Sequence, residues 1–244
     1  MKMILTIDIG NTKIKFGIFK KTKLVDFFHC NSNIEISSKI DEITQYSIDT
    51  VIISSVAPRI TSLYKKYINK ILQISPFIIN YQNCNISLNV EEPSSVGSDR
   101  ICNISGALKL YKYPAIIIDF GTATTFDVIN NKKEFIGGAI VPGVETSAEY
   151  LMQKAELLNM ENLSFPQNVI GKNTKTNLQS GIMFGAIDQV NGMIERINNE
   201  TQCDNEIILT GGFSKILSTN LAIKHMLDIN LTLKGMIYIY ESNS

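Results

Sequence analysis

The 244-residue sequence contains few of the residues that build metal clusters and disulfide frameworks. Its four cysteines are scattered without CxxC spacing, at Cys30, Cys84, Cys102 and Cys203. This pattern argues against a zinc site and a disulfide scaffold, and it favours a reducing, cytoplasmic location. The only two histidines, His29 and His225, are too few to predict a metal cluster or a histidine-based triad. We expect both at the surface.

The sequence also lacks an excess of charge and a long apolar run. Lys plus Arg number 23, and so do Asp plus Glu, so the formal net charge is zero. This balance does not indicate binding to nucleic acid or to an anionic membrane. No run approaches the ~18 apolar residues of a membrane span. The N-terminal apolar stretch lacks a small-residue cleavage site, so it predicts a first strand rather than a signal peptide. With 44% hydrophobic residues, the composition is that of a soluble globular protein.

Two common phosphate-binding signatures are missing. There is no Walker A loop, GxxxxGK[ST], and no GxGxxG after a predicted strand. What the chain has instead is one acidic turn made twice. Residues 4–12 read "ILTIDIGNT" and residues 116–127 read "IIIDFGTATTFD", so an apolar run ends in Asp-x-Gly followed by Thr in both places.

The predicted elements follow the same order in both halves: a strand, the Asp-x-Gly turn, a β-hairpin, then alternating helices and strands. This repetition predicts an α/β protein of two duplicated domains, 1–114 and 115–244, with mixed sheets flanked by helices and a cleft between the domains. Helical spacing predicts helices over 34–47, 58–71, 100–111, 146–158 and 177–198. Residues 231–240 are predicted to form a last strand pair.

The chemistry of the repeated turn suits phosphate. Glycine after a strand lets the backbone approach a ligand closely, and residues 10–12 and 121–125 offer N–H groups and hydroxyls. The adjacent Asp8 and Asp119 can hold a cation that bridges phosphates. One such turn alone is usually structural. Two at equivalent points of a duplicated chain favour a polyphosphate site, as phosphoryl transfer needs.

Two further segments have alternative readings. In "LTGGFS", residues 209–214, the glycines either admit a base and ribose or make a tight strand-to-helix turn. In "GSDR", residues 97–100, Asp99 either accepts a proton from a substrate hydroxyl or caps a helix. Arg100 either holds a carboxylate or lies on the surface. The residues alone do not separate these alternatives.

The whole pattern resembles the actin, hexokinase and Hsp70 superfamily of acetate- and sugar-kinase-like ATPases, whose duplicated domains are ribonuclease-H-like. Within it, the chain is similar to the type III pantothenate kinases. Six motifs carry the resemblance in order along nearly the whole chain: "DIGNT" (8–12), "PSSVGSDR" (93–100), "DFGTATTFD" (119–127), "GGAIVPG" (137–143), "GKNT" (171–174) and "LTGGFSK" (209–215).

The resemblance implies ATP-dependent phosphorylation of pantothenate to 4′-phosphopantothenate, the first step of coenzyme A biosynthesis, in a homodimer with a shared active site. It implies Asp99 as proton acceptor and Asp119 as ligand of a monovalent cation, K⁺ or NH₄⁺. Asp8 is the better candidate to face Mg²⁺ through water, since magnesium gives up its waters reluctantly. The implied ATP contacts are Asp8, Gly10, Asn11, Thr12, Lys13, Lys15, Thr122, Gly211 and Gly212. The implied substrate contacts are Gly97, Ser98, Asp99, Arg100 and Thr174.

One position departs from the family pattern. Many members have Tyr three residues before the Pro of "PxxVGxDR", whereas this chain has Val90, so that substrate contact does not carry over. Two other functions remain as alternatives: a non-catalytic, nucleotide-binding accessory or regulatory protein of the same fold, and a kinase for a sugar or an acetate-like acid. Intact Asp99, Asp119 and Thr174 argue against the first, and the "GSDR" turn against the second.

Overall fold

The computed structural model describes residues 2–32, 39–155 and 162–244. The chain forms two compact units, Met1–Tyr111 with Asn230–Ser244, and Lys112–Ile229. The sequence predicts a boundary after residue 114, three residues from the observed one, but it places residues 230–244 in the C-terminal domain. In the structure that segment packs with the first unit.

The first unit is built on a mixed sheet with the strand order β3-β2-β1-β4-β5. β1 pairs antiparallel with β2 and parallel with β4. The strands are β1 (Met3–Ile9), β2 (Lys13–Lys20), β3 (Lys23–Asn31), β4 (Thr50–Ser55) and β5 (Phe77–Ile78). The other elements are α1 (Ile40–Thr44), α2 (Pro58–Leu72), β6 (Ser87–Leu88), a 3₁₀ turn at Pro93–Ser95, α3 (Ser98–Leu110) and α7 (Leu231–Glu241).

Helices cover both faces of this sheet because successive strand residues point to opposite sides. On one side, Leu5 and Ile7 pack in a buried cluster that includes Tyr64 and Ile68 of α2. On the other side, Ile4 belongs to a cluster with residues of α3 and α7, among them Ile101, Cys102, Leu233 and Met236. Asp8 lies an even number of residues from Ile4, so its side chain faces the α3 side.

The segment 231–240 is a helix, and the predicted strand pair was wrong. Its residues "LTLKGMIYIY" include several β-branched and aromatic types, which favour strands. A short apolar run does not distinguish a strand from a buried helix. Here the run is buried against α3: a Cβ atom on Gly235 would overlap the carbonyl oxygen of Cys102. Close packing of helix on helix outweighs the local preference.

The second unit repeats the topology of the first. Its strands are β7 (Ala115–Phe120), β8 (Ala123–Ile129), β9 (Glu134–Pro142), β10 (Glu206–Thr210) and β11 (Met226–Leu227), and their order is β11-β10-β7-β8-β9. β7, β8 and β9 pair antiparallel, whereas β10 is parallel to β7 and β11 is parallel to β10. The strand order and directions match those of the first sheet, so the predicted duplication of an α/β unit is confirmed.

The helices of the second unit are α4 (Val144–Lys154), α5 (Thr174–Thr201) and α6 (Ser214–Ser218). The buried residues of α5, including Met183, Ile187 and Val190, pack in one core with Ile116 and Ile118 of β7. The predicted helices over 58–71, 100–111 and 177–198 correspond to α2, α3 and α5. The helix predicted over 34–47 corresponds only to α1, and that over 146–158 to α4; residues 34–38 and 156–158 lie outside the described residues. In the described part of the chain, no helix combines the length and apolar character needed to cross a membrane.

Candidate active site

The first acidic turn lies between β1 and β2 in the first unit. The amide of Gly10 donates to the carbonyl of Lys13 (3.0 Å), which closes the turn. A Cβ atom on Gly10 would lie 2.9 Å from that carbonyl oxygen, so a larger residue would crowd the turn. Asn11, Thr12 and Lys13 are exposed. Their backbone and side chains are therefore accessible to a ligand.

Asp8 is the buried member of this turn. Its side chain is 6% exposed and accepts a hydrogen bond from Ser54 Oγ at 3.2 Å. The β1–β2 register places Lys15 opposite Asp8, and the Lys15 ammonium lies 3.7 Å from Asp8 Oδ2. A buried carboxylate needs such partners. The pair brings together two of the predicted nucleotide contacts.

The substrate turn opens α3. Gly97 is the N-cap residue of this helix, and Asp99 lies in its first turn. The Arg100 amide donates to Asp99 Oδ1 at 2.8 Å, and both side chains are half-buried. The N-cap residue is therefore Gly97 rather than Asp99, although Asp99 still accepts from a main-chain amide of the first turn. An acid in the first turn of a helix is favoured by the helix dipole.

Ser98 behaves differently from the other predicted substrate contacts. It is buried, and its hydroxyl donates to the carbonyl of Ser55 (2.9 Å) and accepts from the Ser55 amide (2.7 Å). Ser98 Oγ also lies 3.1 Å from Ser54 Oγ. The hydroxyl is thus engaged inside the protein, and its role is to fix the start of α3 on the end of β4.

Cys102 lies one turn further along α3 and was not singled out from the sequence. Burial raises the pKa of its thiol, and the charge of Asp8 raises this pKa further, while an interaction with Ser54 lowers it. The group remains a neutral thiol beside the Asp8 carboxylate. A lone cysteine in a helix gives no sequence signal for such a position, since only the packing of α3 on β1 and β4 creates it.

The second acidic turn lies between β7 and β8 in the second unit. The Gly121 amide donates to the Ala123 carbonyl at 3.0 Å, and the Thr122 carbonyl accepts from the Gly143 amide at 3.0 Å and from Thr146 Oγ1 at 2.7 Å. A Cβ atom on Gly143 would overlap the Gly121 carbonyl oxygen. The "GGAIVPG" motif therefore supports the turn that carries Thr122.

Asp119 lies beside the third glycine motif of the same unit. β10 is parallel to β7 with Thr210 paired to Asp119, so the two side chains point to the same face of the sheet. Gly211 follows with φ of +91°, and a Cβ atom there would overlap Asp119 Oδ1. Gly212 is exposed, with open space where its Cβ would be. Gly211 thus adapts the turn to Asp119, while Gly212 leaves the surface open to a ligand.

The surroundings of Asp119 offer oxygen atoms that can bind a hard cation. Thr210 Oγ1 is buried and has no hydrogen-bond partner among the described residues, and such an orphan oxygen carries a free-energy penalty unless an ion or water satisfies it. Oxygen donors from Asp119 and Thr210 suit a hard cation. Among the described residues, no group of three or more His, Cys, Asp or Glu side chains could hold a metal ion. Mg²⁺ at Asp8 would therefore rely on water and nucleotide phosphates, as it commonly does.

Thr174 is the last of the implied substrate contacts, and Asp127 ends the motif of the second acidic turn. Thr174 is the exposed first residue of α5. The helix N-terminus is fixed by a capping box between Asn173 and Thr176. Asp127 is fully buried and accepts from Thr125 Oγ1 at 3.3 Å. Its complete burial and this hydrogen bond indicate a structural role.

Comparisons with known proteins place this arrangement in a family. A family model described as type III pantothenate kinase matches residues 4–196. The chain is 35% identical over 253 residues to a type III pantothenate kinase of Halalkalibacterium halodurans, with 99% of this chain and 100% of that protein aligned. It is 35% identical over 249 residues to a type III pantothenate kinase of Sulfurihydrogenibium sp., covering 97% of this chain and 99% of that protein.

Solved structures show the same fold at lower identity. A protein from Campylobacter jejuni assigned to the Baf family of transcriptional activators has a TM-score of 0.66 at 20% identity, with 98% of both chains covered. The activator of 2-hydroxyisocaproyl-CoA dehydratase from Clostridium difficile, solved with bound ADPNP, has a TM-score of 0.60 at 14% identity, covering 99% of this chain and 97% of that one. These likenesses confirm the actin-like ATPase fold expected from the sequence. Because the family model covers most of the chain and both kinases align over nearly their full length, the chain belongs to the type III pantothenate kinase family.

Proposed function

We propose that this chain catalyses ATP-dependent phosphorylation of pantothenate to 4′-phosphopantothenate, the first step of coenzyme A biosynthesis, with Asp99 as general base. Family membership supports a kinase with an alcohol acceptor. The observation that carries the choice of base is the position of Asp99 in the first turn of α3. It is the half-buried carboxylate of the predicted substrate turn, so it can accept the proton of an attacking hydroxyl.

The remaining substrate roles follow from charge and exposure. The guanidinium of Arg100 suits the carboxylate of pantothenate, because a guanidinium binds carboxylates through two parallel hydrogen bonds. The backbone at Gly97 and the Thr174 hydroxyl are the other proposed contacts. Ser98 contributes through its main chain and its attachment to β4.

In this proposal, residues of both acidic turns contact ATP. Gly10, Asn11, Thr12 and Lys13 present N–H groups and an ammonium to phosphate oxygens, and Lys15 offsets the charge of Asp8. Thr122, Gly211 and Gly212 are the proposed contacts of the second unit. Catalysis then consists mainly of positioning and charge neutralisation.

Two kinds of cation are part of the proposal. Bound Mg²⁺ would neutralise phosphate charge near Asp8 through its water ligands. Asp119 and Thr210 Oγ1 would hold K⁺ or NH₄⁺, which adds positive charge near the nucleotide. The orphan oxygen of Thr210 supports this second site.

We also propose a homodimer in the cytoplasm. Val169 and Ile170 are 65% and 77% exposed and directly precede the Gly171–Thr174 motif. Exposed apolar side chains beside a proposed substrate contact fit a surface that a second copy covers. Free thiols at Cys30, Cys84, Cys102 and Cys203 fit a reducing compartment.

The test is turnover of ATP with pantothenate, with product identified by mass spectrometry, in KCl and in choline chloride. Wild type should form 4′-phosphopantothenate faster in KCl, and Asp99→Asn should lower kcat by about 10² to 10⁴. Asp204→Asn, an exposed acid in the second unit, is the matched control and should keep wild-type kcat. A wild type that binds ATP but never phosphorylates pantothenate would contradict the proposal and favour the accessory role.

A further inference from the structure

A buried row of hydroxyl groups runs from the first acidic turn to the start of α3. Asp8 and Ser54 are paired across the parallel strands β1 and β4, and Ser54 Oγ lies 3.2 Å from Asp8 Oδ1. Ser54 Oγ is also 3.1 Å from Ser98 Oγ, and Ser98 bonds to both main-chain polar groups of Ser55. Ser54 is fully buried, so water does not replace these contacts.

The number of available hydroxyl protons limits which hydrogen bonds can form in this row, and Ser54 lies between Asp8 and Ser98. Ser54 and Ser98 each carry one hydroxyl proton. The acceptors within reach include Asp8 Oδ1, the Ser55 carbonyl and the oxygen of the other serine, and the Cys102 thiol also interacts with Ser54. A hydrogen bond to an ionised carboxylate is stronger than one between neutral groups, so Asp8 orients the Ser54 hydroxyl. With its proton on Asp8, Ser54 can only accept from Ser98, which shares its own proton between Ser54 Oγ and the Ser55 carbonyl.

The helix that carries Asp99 is attached to its neighbours at its first residue and again along its length. Further along α3, Thr232 of α7 donates to Asn103 at 2.8 Å, and Gly235 allows α7 to approach Cys102. These contacts hold the middle of α3. At its first residue, the Ser98 hydroxyl contacts Ser54 Oγ and both main-chain polar groups of Ser55.

We infer that Ser54 is a positioning residue, which acts through Ser98 to hold Asp99 in a fixed relation to Asp8. This inference rests on the proposed function, in which Asp99 contacts the substrate and Asp8 contacts the nucleotide. Ser54 itself contacts neither ligand. Its contribution is to align Asp8 with Asp99. These two acids lie in different loops and, in the proposed function, contact the nucleotide and the substrate respectively. A small misplacement of reacting groups lowers the rate far more than it weakens binding.

A double-mutant cycle of Ser54→Ala and Ser98→Ala tests this. Each single variant should lower kcat by about 10- to 100-fold while the KM for pantothenate stays within about threefold. Because both changes interrupt one row, the double variant should lose little more than the worse single variant. The decreases in melting temperature of the same three variants, measured without ligands, should also be non-additive. This measurement does not depend on turnover.

Thr61→Val is the structural control. Thr61 Oγ1 lies 2.6 Å from Ser55 Oγ and 3.0 Å from the Ala57 carbonyl oxygen, so it belongs to the start of α2. Its loss should lower the melting temperature but leave kcat within about twofold of wild type. If Thr61→Val lowers kcat as much as Ser54→Ala, or if the kcat losses of the two serine variants multiply, the inference is wrong. A wild type without pantothenate turnover would instead contradict the proposed function, whatever the unfolding cycle shows.

Discussion

Gly211 lies so close to Asp119 that a Cβ atom at residue 211 would overlap Oδ1 of the Asp119 carboxylate. Its φ of +91° is also a backbone conformation that other residues rarely adopt. Gly211→Ala should therefore destabilise the protein by about 1–3 kcal/mol and push the Asp119 carboxylate from its place. Urea unfolding measures the first effect. Gly212→Ala, where the Cβ meets open space, is the stability control, and an equal loss in both variants would contradict the packing argument.

The buried hydroxyl of Thr210 should determine how strongly the protein binds K⁺. Thr210→Val keeps the shape of the side chain and removes its oxygen, whereas Thr210→Ser keeps the oxygen. If Oγ1 is a cation ligand, KCl should raise the melting temperature of wild type and Thr210→Ser above the value in choline chloride. The rise should be lost in Thr210→Val. A potassium response that persists in Thr210→Val would show that the cation does not use this oxygen.

The contact between α7 and α3 should be sensitive to a single methyl group. A Cβ atom on Gly235 would overlap the Cys102 carbonyl oxygen, so Gly235→Ala must separate the helices. We expect a loss of about 1–3 kcal/mol in the free energy of unfolding. Gly192→Ala in α5, where a Cβ meets no atom within 4 Å, should be neutral or slightly stabilising. Chemical unfolding followed by circular dichroism compares the two.

The four thiols should differ in reactivity. Cys30, Cys84 and Cys102 are buried, and Cys203 is half-exposed. Burial and the Asp8 charge raise the pKa of Cys102, so its reactive thiolate stays scarce at the pH of 8 to 9 at which an ordinary cysteine ionises. In folded protein, a thiol reagent such as DTNB should modify one group quickly, and Cys203→Ser should abolish that phase. Rapid modification of Cys102 would mean that α3 opens readily.

The sequence predicted the parts of the fold in which local pattern and tertiary packing agree. The strand ending at Asp8 and the one ending at Asp119 were evident because an apolar run stops at an acid followed by glycine. The helix at 231–241 was missed because its composition favours a strand, and only packing against α3 decides otherwise. The placement of residues 230–244 with the first unit has the same origin, since it depends on a contact between distant parts of the chain.

Site residues that lie in a sequence motif could be predicted from the sequence. Site residues that are brought into place by the pairing of distant strands could not. Asp99 and Asp119 stand in motifs with a recognisable order. Ser54 and Thr210 acquire their positions from the registers of β1 with β4 and of β7 with β10, and Ser98 from its hydrogen bonds to Ser55 at the end of β4. A register between parallel strands separated by a long crossover leaves no short-range signal in a sequence.

The return of α7 to the first unit has a consequence for synthesis. α3 is made from residues 98–110, but the helix that packs on it is made from residues 231–241, after all of the second unit. A ribosome adds about 5–20 residues each second, so the helix bearing Asp99 waits for several seconds with an apolar face uncovered. The two units therefore cannot mature one after the other as independent domains do, and a nascent chain stalled before residue 230 would expose that face to chaperones.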